Sequence, residues 1–552
     1  MSALGIAALL MAAGSALGQE PTAGQQNSAA DDPPARVARL SYLKGSVSFL
    51  RAGVDQWCQA ALNFPVTTGD RIYTDQDAHA ELQVGNYTVR LSQRTDLTVT
   101  NLNDQVLQLG LEQGTLRLTV YQLPSGETVE IDTPSGVLTV MQSGTYRVDI
   151  EQGGERTQVY VNSGSSEVTG GGISETLHSG QAAKLTGHDV VALVSIPPPG
   201  PDGFDKWCDD RDMHVSSSAS SRYMSKSIPG FDDLDDYGQW EDVADYGPVW
   251  YPAGIAAGWI PYRFGRWVWV GPWGWTWVED EPWGFCQFHY GRWVHIGVRW
   301  GWLPGPIIAA PVYAPAIVAF VGGPHFSITI GGGPVSLTAW FPLGPGEPFF
   351  PWYHCREDYL RLVNVTNIRN VTNITNIINA RHIENVHYAY RSIATTAVPA
   401  RVFSSGQMVA RQVVRLTPQQ LERAQNIPHP GVNPTMRAAL AGAPVKPPPV
   451  RSQSFMTAAR TAPRPSPVSQ RGPSVAQPRT EAPRLFTRNP PPPEHVPFAV
   501  QRPSMAAHPG RPLEPQQLEN LRAGRRPGPM LDREFPPHLA PAPSVRAGPR
   551  RR

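Results

Sequence analysis

Thr115-Leu116-Arg117-Leu118-Thr119-Val120 sets Leu116, Leu118 and Val120 on one side of an extended chain and Thr115, Arg117 and Thr119 on the other. Successive side chains of a strand point to opposite faces, so a period of two marks a sheet with one apolar face. The same alternation occurs in Ala80-Glu81-Leu82-Gln83-Val84, Val106-Leu107-Gln108-Leu109 and Thr157-Gln158-Val159-Tyr160-Val161. Gly69-Asp70, Gly85-Asn86, Ser125-Gly126 and Gly153-Gly154 punctuate these runs, and glycine takes positive φ there without steric cost. No stretch from 36 to 196 has a helical period. The expectation for 36–196 is an all-β domain.

A series of motifs crosses the same region in order: Gly45-x-Val47, Trp57, Thr68-Gly69-Asp70-Arg71-Ile72-x-Thr74, Ala80-Glu81-Leu82 and Gly114-Thr115-Leu116. Thr133-Pro134-Ser135-Gly136, Ser143-Gly144-Thr145-Tyr146-Arg147-Val148, Val161-x-x-Gly164 and Leu177-x-x-Gly180-Gln181 complete it. Together they resemble the FecR domain, the periplasmic domain named after the ferric-citrate regulator. The resemblance implies a β-sandwich or β-roll in the envelope that acts through protein–protein contacts. Signalling regulators of that type carry a cytoplasmic anti-sigma segment and a membrane helix ahead of the domain. Here only a signal-like stretch precedes it, so a binding or scaffold module is expected rather than a sigma regulator.

A second β module is expected at 237–360. Tyr237-Gly238-Gln239-Trp240, Phe264-Gly265-Arg266-Trp267 and Tyr290-Gly291-Arg292-Trp293 repeat one unit. The block from Gly265 to Trp275 returns about 26 residues later, from Gly291 to Trp302, which signals small stacked β units. Two roles are open for the indoles. They form the core of short hairpins, since each aromatic buries about 150–250 Å². Alternatively Trp267, Trp269, Trp275, Trp277 and Trp293 present a stacking platform to a sugar ring or peptide. From Tyr246-Gly247-Pro248-Val249-Trp250 to Phe341-Pro342-Leu343-Gly344 the module resembles a bacterial family of unknown function that follows FecR domains in exported proteins.

Charge is divided along the chain. Residues 401–552 hold 23 Lys/Arg against 7 Asp/Glu, while the net charge of all 552 residues is +1. The expected organisation is a signal peptide at 1–18 (apolar Ala3 to Ala12, then Ser15-Ala16-Leu17-Gly18) and a disordered linker at 19–35. An acidic linker follows at 197–236, rich in Asp202, Asp205, Asp209, Asp210, Asp212, Asp232, Asp233, Asp235 and Asp236 and read as solvated. An Asn-Val-Thr segment of period three occupies 361–400, and a basic, proline-rich disordered tail 401–552. Short helices are expected at Thr417–Leu421, with Thr as cap and Pro at the first helical position, and at Pro515–Leu521. The uncharged run Ile307–Gly323 is interrupted by Pro311 and Pro315 and too short to span a bilayer, and its end, Ile317–Val321, reads as a buried strand. Cys58, Cys208, Cys286 and Cys355 match no zinc spacing, and both disulfides and free thiols stay open.

No phosphate loop, zinc-protease helix, nucleophile elbow or dinucleotide fingerprint occurs. His289, His295 and His354 sit among aromatics without a nucleophile or ligand partner, which is the setting of packing residues. The expectation is a mainly β, non-enzymatic, exported periplasmic or cell-surface protein without cofactor or metal. Envelope proteins are its expected partners. Cell-wall glycan is an alternative through the indoles, a FecR-type regulatory role a second, and an anionic surface a partner for the tail. Nucleic acid is not expected.

Overall fold

The computed structural model describes residues 32–187, 191–323, 326–330, 333–367, 386–440, 442–450, 454–457 and 484–524. The expected signal peptide, residues 19–31 of the linker and residues 368–385 of the period-three segment lie outside these residues. The described chain is mainly β, with several sheets and short helices.

Two sheets build the first module. One runs through Pro65–Val66, Ala38–Lys44, His79–Val84, Tyr87–Leu91, part of Val106–Val120, Gly144–Ile150, Arg156–Ser163, Gln181–Thr186 and Ala192–Ile196. The other runs through Cys58–Gln59, Val47–Leu50, Arg71–Thr74, Asp96–Leu102, the rest of Val106–Val120, Thr128–Thr133, Gly136–Val140, Ser165–Gly170 and Ile173–His178. Among the described pairings within these two sheets, only that of Val106–Val120 with Thr128–Thr133 is parallel.

Val106–Val120 therefore belongs to both sheets: residues up to Gln113 pair in the second, and those from Gly114 in the first. The crossing falls at Gly114, whose φ is +89° and whose added Cβ would lie 2.4 Å from Thr95 Oγ1. No other residue fits that corner. The alternation read from sequence fills the space between the sheets: Leu82, Val89, Leu116, Leu118 and Val148 face Leu97, Leu109, Ile131 and Leu138, all buried.

Three hairpins carry the tryptophan repeat. They pair Trp240 with Trp250, Trp267 with Trp277 and Trp269 with Trp275, and Trp293 with Trp302. The motif glycine explains the unit. A Cβ on Gly238 would meet the Trp250 ring at 2.4 Å, one on Gly265 the Trp277 ring at 2.8 Å, and one on Gly291 the Trp302 ring at 2.8 Å. In each hairpin the partner strand's indole lies across the glycine, and only a residue without a side chain leaves that seat open.

The modules are not separated. One apolar core is continuous through both. Asn63 donates to the Glu279 and Glu281 carbonyls (3.1 and 2.8 Å), and Arg39 to the Pro282 carbonyl (2.8 Å). Val318–Gly322, the strand read from Ile317–Val321, pairs with Gly333–Pro342 and with Gln425–Ile427, while Thr396–Pro399 adds to Gly333–Pro342. The region past residue 395 thus supplies two strands to this sheet. Helices Pro418–Arg423 and Pro515–Arg522 form where expected, the first with Thr417 and Gln420 closing a capping box. Asn364 and Asn367, the first two asparagines of the period-three run, lie at the end of helix Glu357–Val365 and are buried. Asn364 bonds the Phe349 and Leu360 carbonyls, and Asn367 those of Val312 and Val363. All four cysteines are free thiols.

Candidate binding surfaces

The five indoles offered as a stacking platform are closed to solvent. Trp267, Trp275, Trp277 and Trp293 are at most 1 % exposed and Trp269 is 6 %. A sugar ring cannot reach them. Of the two roles open in the sequence, the hairpin-core role holds and the platform does not, because the second wall over the hairpins comes from far along the chain. Phe403 packs on Trp267 and Trp275, the Trp275 indole donates to the Val432 carbonyl (2.9 Å), and Val409 N donates to the Gly265 carbonyl (2.9 Å). Burial also pushes the Glu279 carboxyl, bonded to Trp277 Nε1, up to about 8, and the His289 imidazole down to about 3. His289 is a packing residue whose Nδ1 bonds the Ala314 carbonyl. Among the described residues, no group of His, Cys, Asp and Glu is arranged to hold a metal.

The surfaces that hold other segments are the outer faces of the two sheets. On the first, Glu81, Arg90, Arg117 and Arg147 are cross-strand neighbours in one row. Three arginines side by side repel, and such a row persists only with anions over it. The residues read as a solvated acidic linker supply them. Gly203–Ser217 is a helix, capped by Asp202, which accepts from Phe204 N and Asp205 N. Asp205, Asp209 and Asp212 fall at i, i+4 and i+7, which is one helical face. Asp212 Oδ1 binds Arg90 Nη1 and Asp205 Oδ2 binds Arg147 Nη1 (both 2.6 Å), while Asp209 reaches Arg117. Arg211 of the same helix turns back onto Glu81 with two bonds of 2.6 Å. Burial alone would raise the Glu81 carboxyl, but its hydrogen bonds and the charges of Arg211 and Arg90 hold it down at about 2. Further along, Asp233 pairs with Arg39. Buried Asp232 is raised to about 6, by burial first and then by Asp233. The spacing of 205, 209 and 212 behind an Asp202 cap was the available sequence signal for this helix.

On the second sheet the row is Gln108, Glu130, Thr139 and Glu167. Residues Leu485–Asn489 lie across it. Glu130 Oε1 accepts from Arg488 N (2.8 Å), Glu130 Oε2 accepts from the Asn489 amide, and Arg488 Nη1 pairs with Glu167 (2.6 Å). Gln108 Nε2 donates to Thr487 Oγ1 (2.7 Å) and the Asn489 carbonyl (2.8 Å). The segment continues past Pro490–Pro493 to His495, against Gly69, and Phe498 N donates to the Gly53 carbonyl (2.7 Å). Nearby, Ala443 and Val445 bond the backbone of Gln59 and Trp57 at the sheet edge. Two stretches of the expected disordered tail, 401–440 and 484–524, are therefore largely laid on the β modules.

Residues 231–347 match a family described as a family of unknown function (DUF6600). That match covers the tryptophan hairpins and stops short of residues 36–196. No curated protein matches the chain. Two crystal structures of a "putative anti-sigma factor" from Parabacteroides distasonis are similar at 15 % and 16 % identity. Each comparison has a TM-score of 0.21 and covers 23 % of this chain. The chain spans 59 % of the length of those structures.

Proposed function

We propose that this chain is a non-catalytic scaffold of the bacterial envelope, exported through its N-terminal apolar stretch, that binds protein segments on the outer faces of a FecR-like module at 36–196. One observation carries the reading. Each outer face bears a charged cross-strand row, and each row holds a separate segment of opposite charge: the acidic helix Gly203–Ser217 on one, the basic 484–489 stretch on the other. A module that grips a helix on one side and an extended chain on the other has the chemistry of peptide recognition, in which charge rows set orientation and partner choice. The FecR resemblance and the signal-like N-terminus support the envelope location.

The test is fractionation of cells producing the chain, N-terminal sequencing of the mature product, and crosslinking with a reagent confined to the envelope. A product cleaved near residue 18 with specific protein adducts is expected. A cytoplasmic, uncleaved product refutes the location, and an exported product that forms no adduct refutes the scaffold role.

A further inference from the structure

The row on the second sheet is poorly matched to the segment lying on it. Gln108, Glu130 and Asp132 are fully buried. The Gln108 amide faces four acceptors at once: Thr487 Oγ1, the Asn489 carbonyl, Asp132 Oδ2 (2.9 Å) and Glu130 Oε1 (3.4 Å). Asp132 Oδ1 and Gln108 Oε1 have no hydrogen-bond donor among the described residues. Acceptors outnumber donors whenever both carboxyls are ionised, and burial, with Glu130 beside it, pushes the Asp132 carboxyl well up in the absence of a cation. Thr487 brings a hydroxyl that donates once and accepts otherwise, to a spot where two carboxyl groups meet. An ammonium or guanidinium, which only donates, answers that arrangement better.

The contacts around this spot are specific. Arg488 pairs with Glu167 on the far side of the row, and Asn489 is held by Glu130 through both its backbone and its side chain. Leu485 and Phe486 are buried beside it. Gly69 and Gly53, at φ +83° and +74°, lie so close to His495 and Val496 that a Cβ would stand 2.8 and 2.9 Å from them. The sheet is shaped for an extended chain along the whole 484–498 path.

Resting on the scaffold reading above, we propose that the Gln108–Glu130–Asp132–Glu167 face is a docking site for an extended, proline-containing basic peptide of a partner protein. The partner carries a cationic side chain where this chain carries Thr487. Residues 484–498 are an in-cis occupant with a weaker side chain at the central position, so the partner segment displaces them.

The test uses the full-length chain and two labelled peptides, the 484–498 sequence and the same peptide with Thr487→Lys, followed by fluorescence anisotropy. The lysine peptide is expected to bind at least tenfold more tightly than the native one. An Arg488→Ala chain, its own segment loosened, is expected to bind both more tightly than wild type does. Combining Glu130→Gln and Glu167→Gln in the chain is expected to abolish binding, while circular dichroism stays as in wild type. Failure of either peptide to bind the Arg488→Ala chain overturns the proposal. So does binding that ignores the Glu130 and Glu167 substitutions, or a native peptide that binds as well as the lysine one. These outcomes are independent of the envelope crosslinking, whose failure would refute the scaffold reading while leaving a peptide site in place.

Discussion

Replacing Asp205 and Asp212 by Asn removes the charges over Arg90, Arg117 and Arg147 while keeping the shape of the helix. The two carboxylates are 8 % and 19 % exposed, whereas Asp209 is 57 % exposed. An exposed pair contributes about 0–1 kcal/mol, so the weight falls on Asp205 and Asp212. Without them, neighbouring guanidinium groups face each other across strands at about 5 Å. Coulomb's law gives about 0.8 kcal/mol per pair in water and about 3 kcal/mol at an effective dielectric constant of 20. Two such pairs, with Arg90 still held by Glu81, Arg117 by Asp209 and Arg147 by Asp149 and Asp202, should cost about 3 kcal/mol. For a module of this size that lowers the unfolding temperature by about 10 °C. Asp209→Asn alone should cost under about 1 kcal/mol. The decisive measurement is thermal unfolding from low to moderate salt. Screening weakens attraction in the wild type and repulsion in the double variant, so the salt slopes should have opposite signs. A double variant with the wild-type slope and midpoint would refute the arginine-row account.

Glu279 predicts a pH-linked effect. Its carboxyl, pushed up by burial to about 8, keeps a proton that the unfolded chain loses near 4.5. Stability must then fall as pH rises between those values, and Glu279→Gln should abolish this decline and exceed wild type at pH 9 in urea unfolding. Parallel wild-type and variant curves would sink that claim. Glu81 has the opposite sign: held near 2, it stabilises the fold above about 4.5, and this contribution is lost as pH falls toward 2. Glu81→Gln should cost about 3–5 kcal/mol at neutral pH, because Arg90 and Arg211 lose a buried partner, and should blunt acid unfolding. Gly265→Ala should cost about 1–3 kcal/mol and disturb the near-ultraviolet tryptophan signal, since its Cβ would stand 2.1 Å from the Val278 carbonyl. Gly203→Ala, with nothing within 4 Å and at a helix start, is the neutral control.

What is legible in the sequence is what a single strand or hairpin decides locally. Alternation places Leu116 and Leu118 inside because their neighbours on the same strand are polar, and the Tyr/Phe-Gly-x-Trp unit repeats because each hairpin solves the same packing problem. The Thr417 cap and Pro418 need only one turn of helix to be recognised. Features that depend on distant residues are not legible in this way. Arg117 looks like the solvent side of a strand until Asp205 is known to lie above it. The acidic stretch looks solvated until its spacing is set against an arginine row. Trp275 looks available until Val432 and Phe403 arrive more than a hundred residues later. Proline and arginine after residue 440 have the composition of disorder, and composition does not register that Glu130 and Glu167 await Arg488 and Asn489.

The two outer faces also explain how a module with an ordinary aliphatic interior can be selective. The inner faces of the sheets hold the fold together by burial, which has no direction and little discrimination. The outer rows do the reverse. An ion pair taken out of water stabilises weakly against an apolar substitute but penalises a mispaired partner heavily. A basic row therefore rejects any segment without correctly spaced acids, and an acidic row rejects any without cations. Glu81 and Arg90 tie the first row into the sheet, so its helix is a fixed part of the module. The second row has buried acceptors that its own segment leaves unanswered. Under the docking proposal, that difference makes the second face the one from which a bound segment is exchanged.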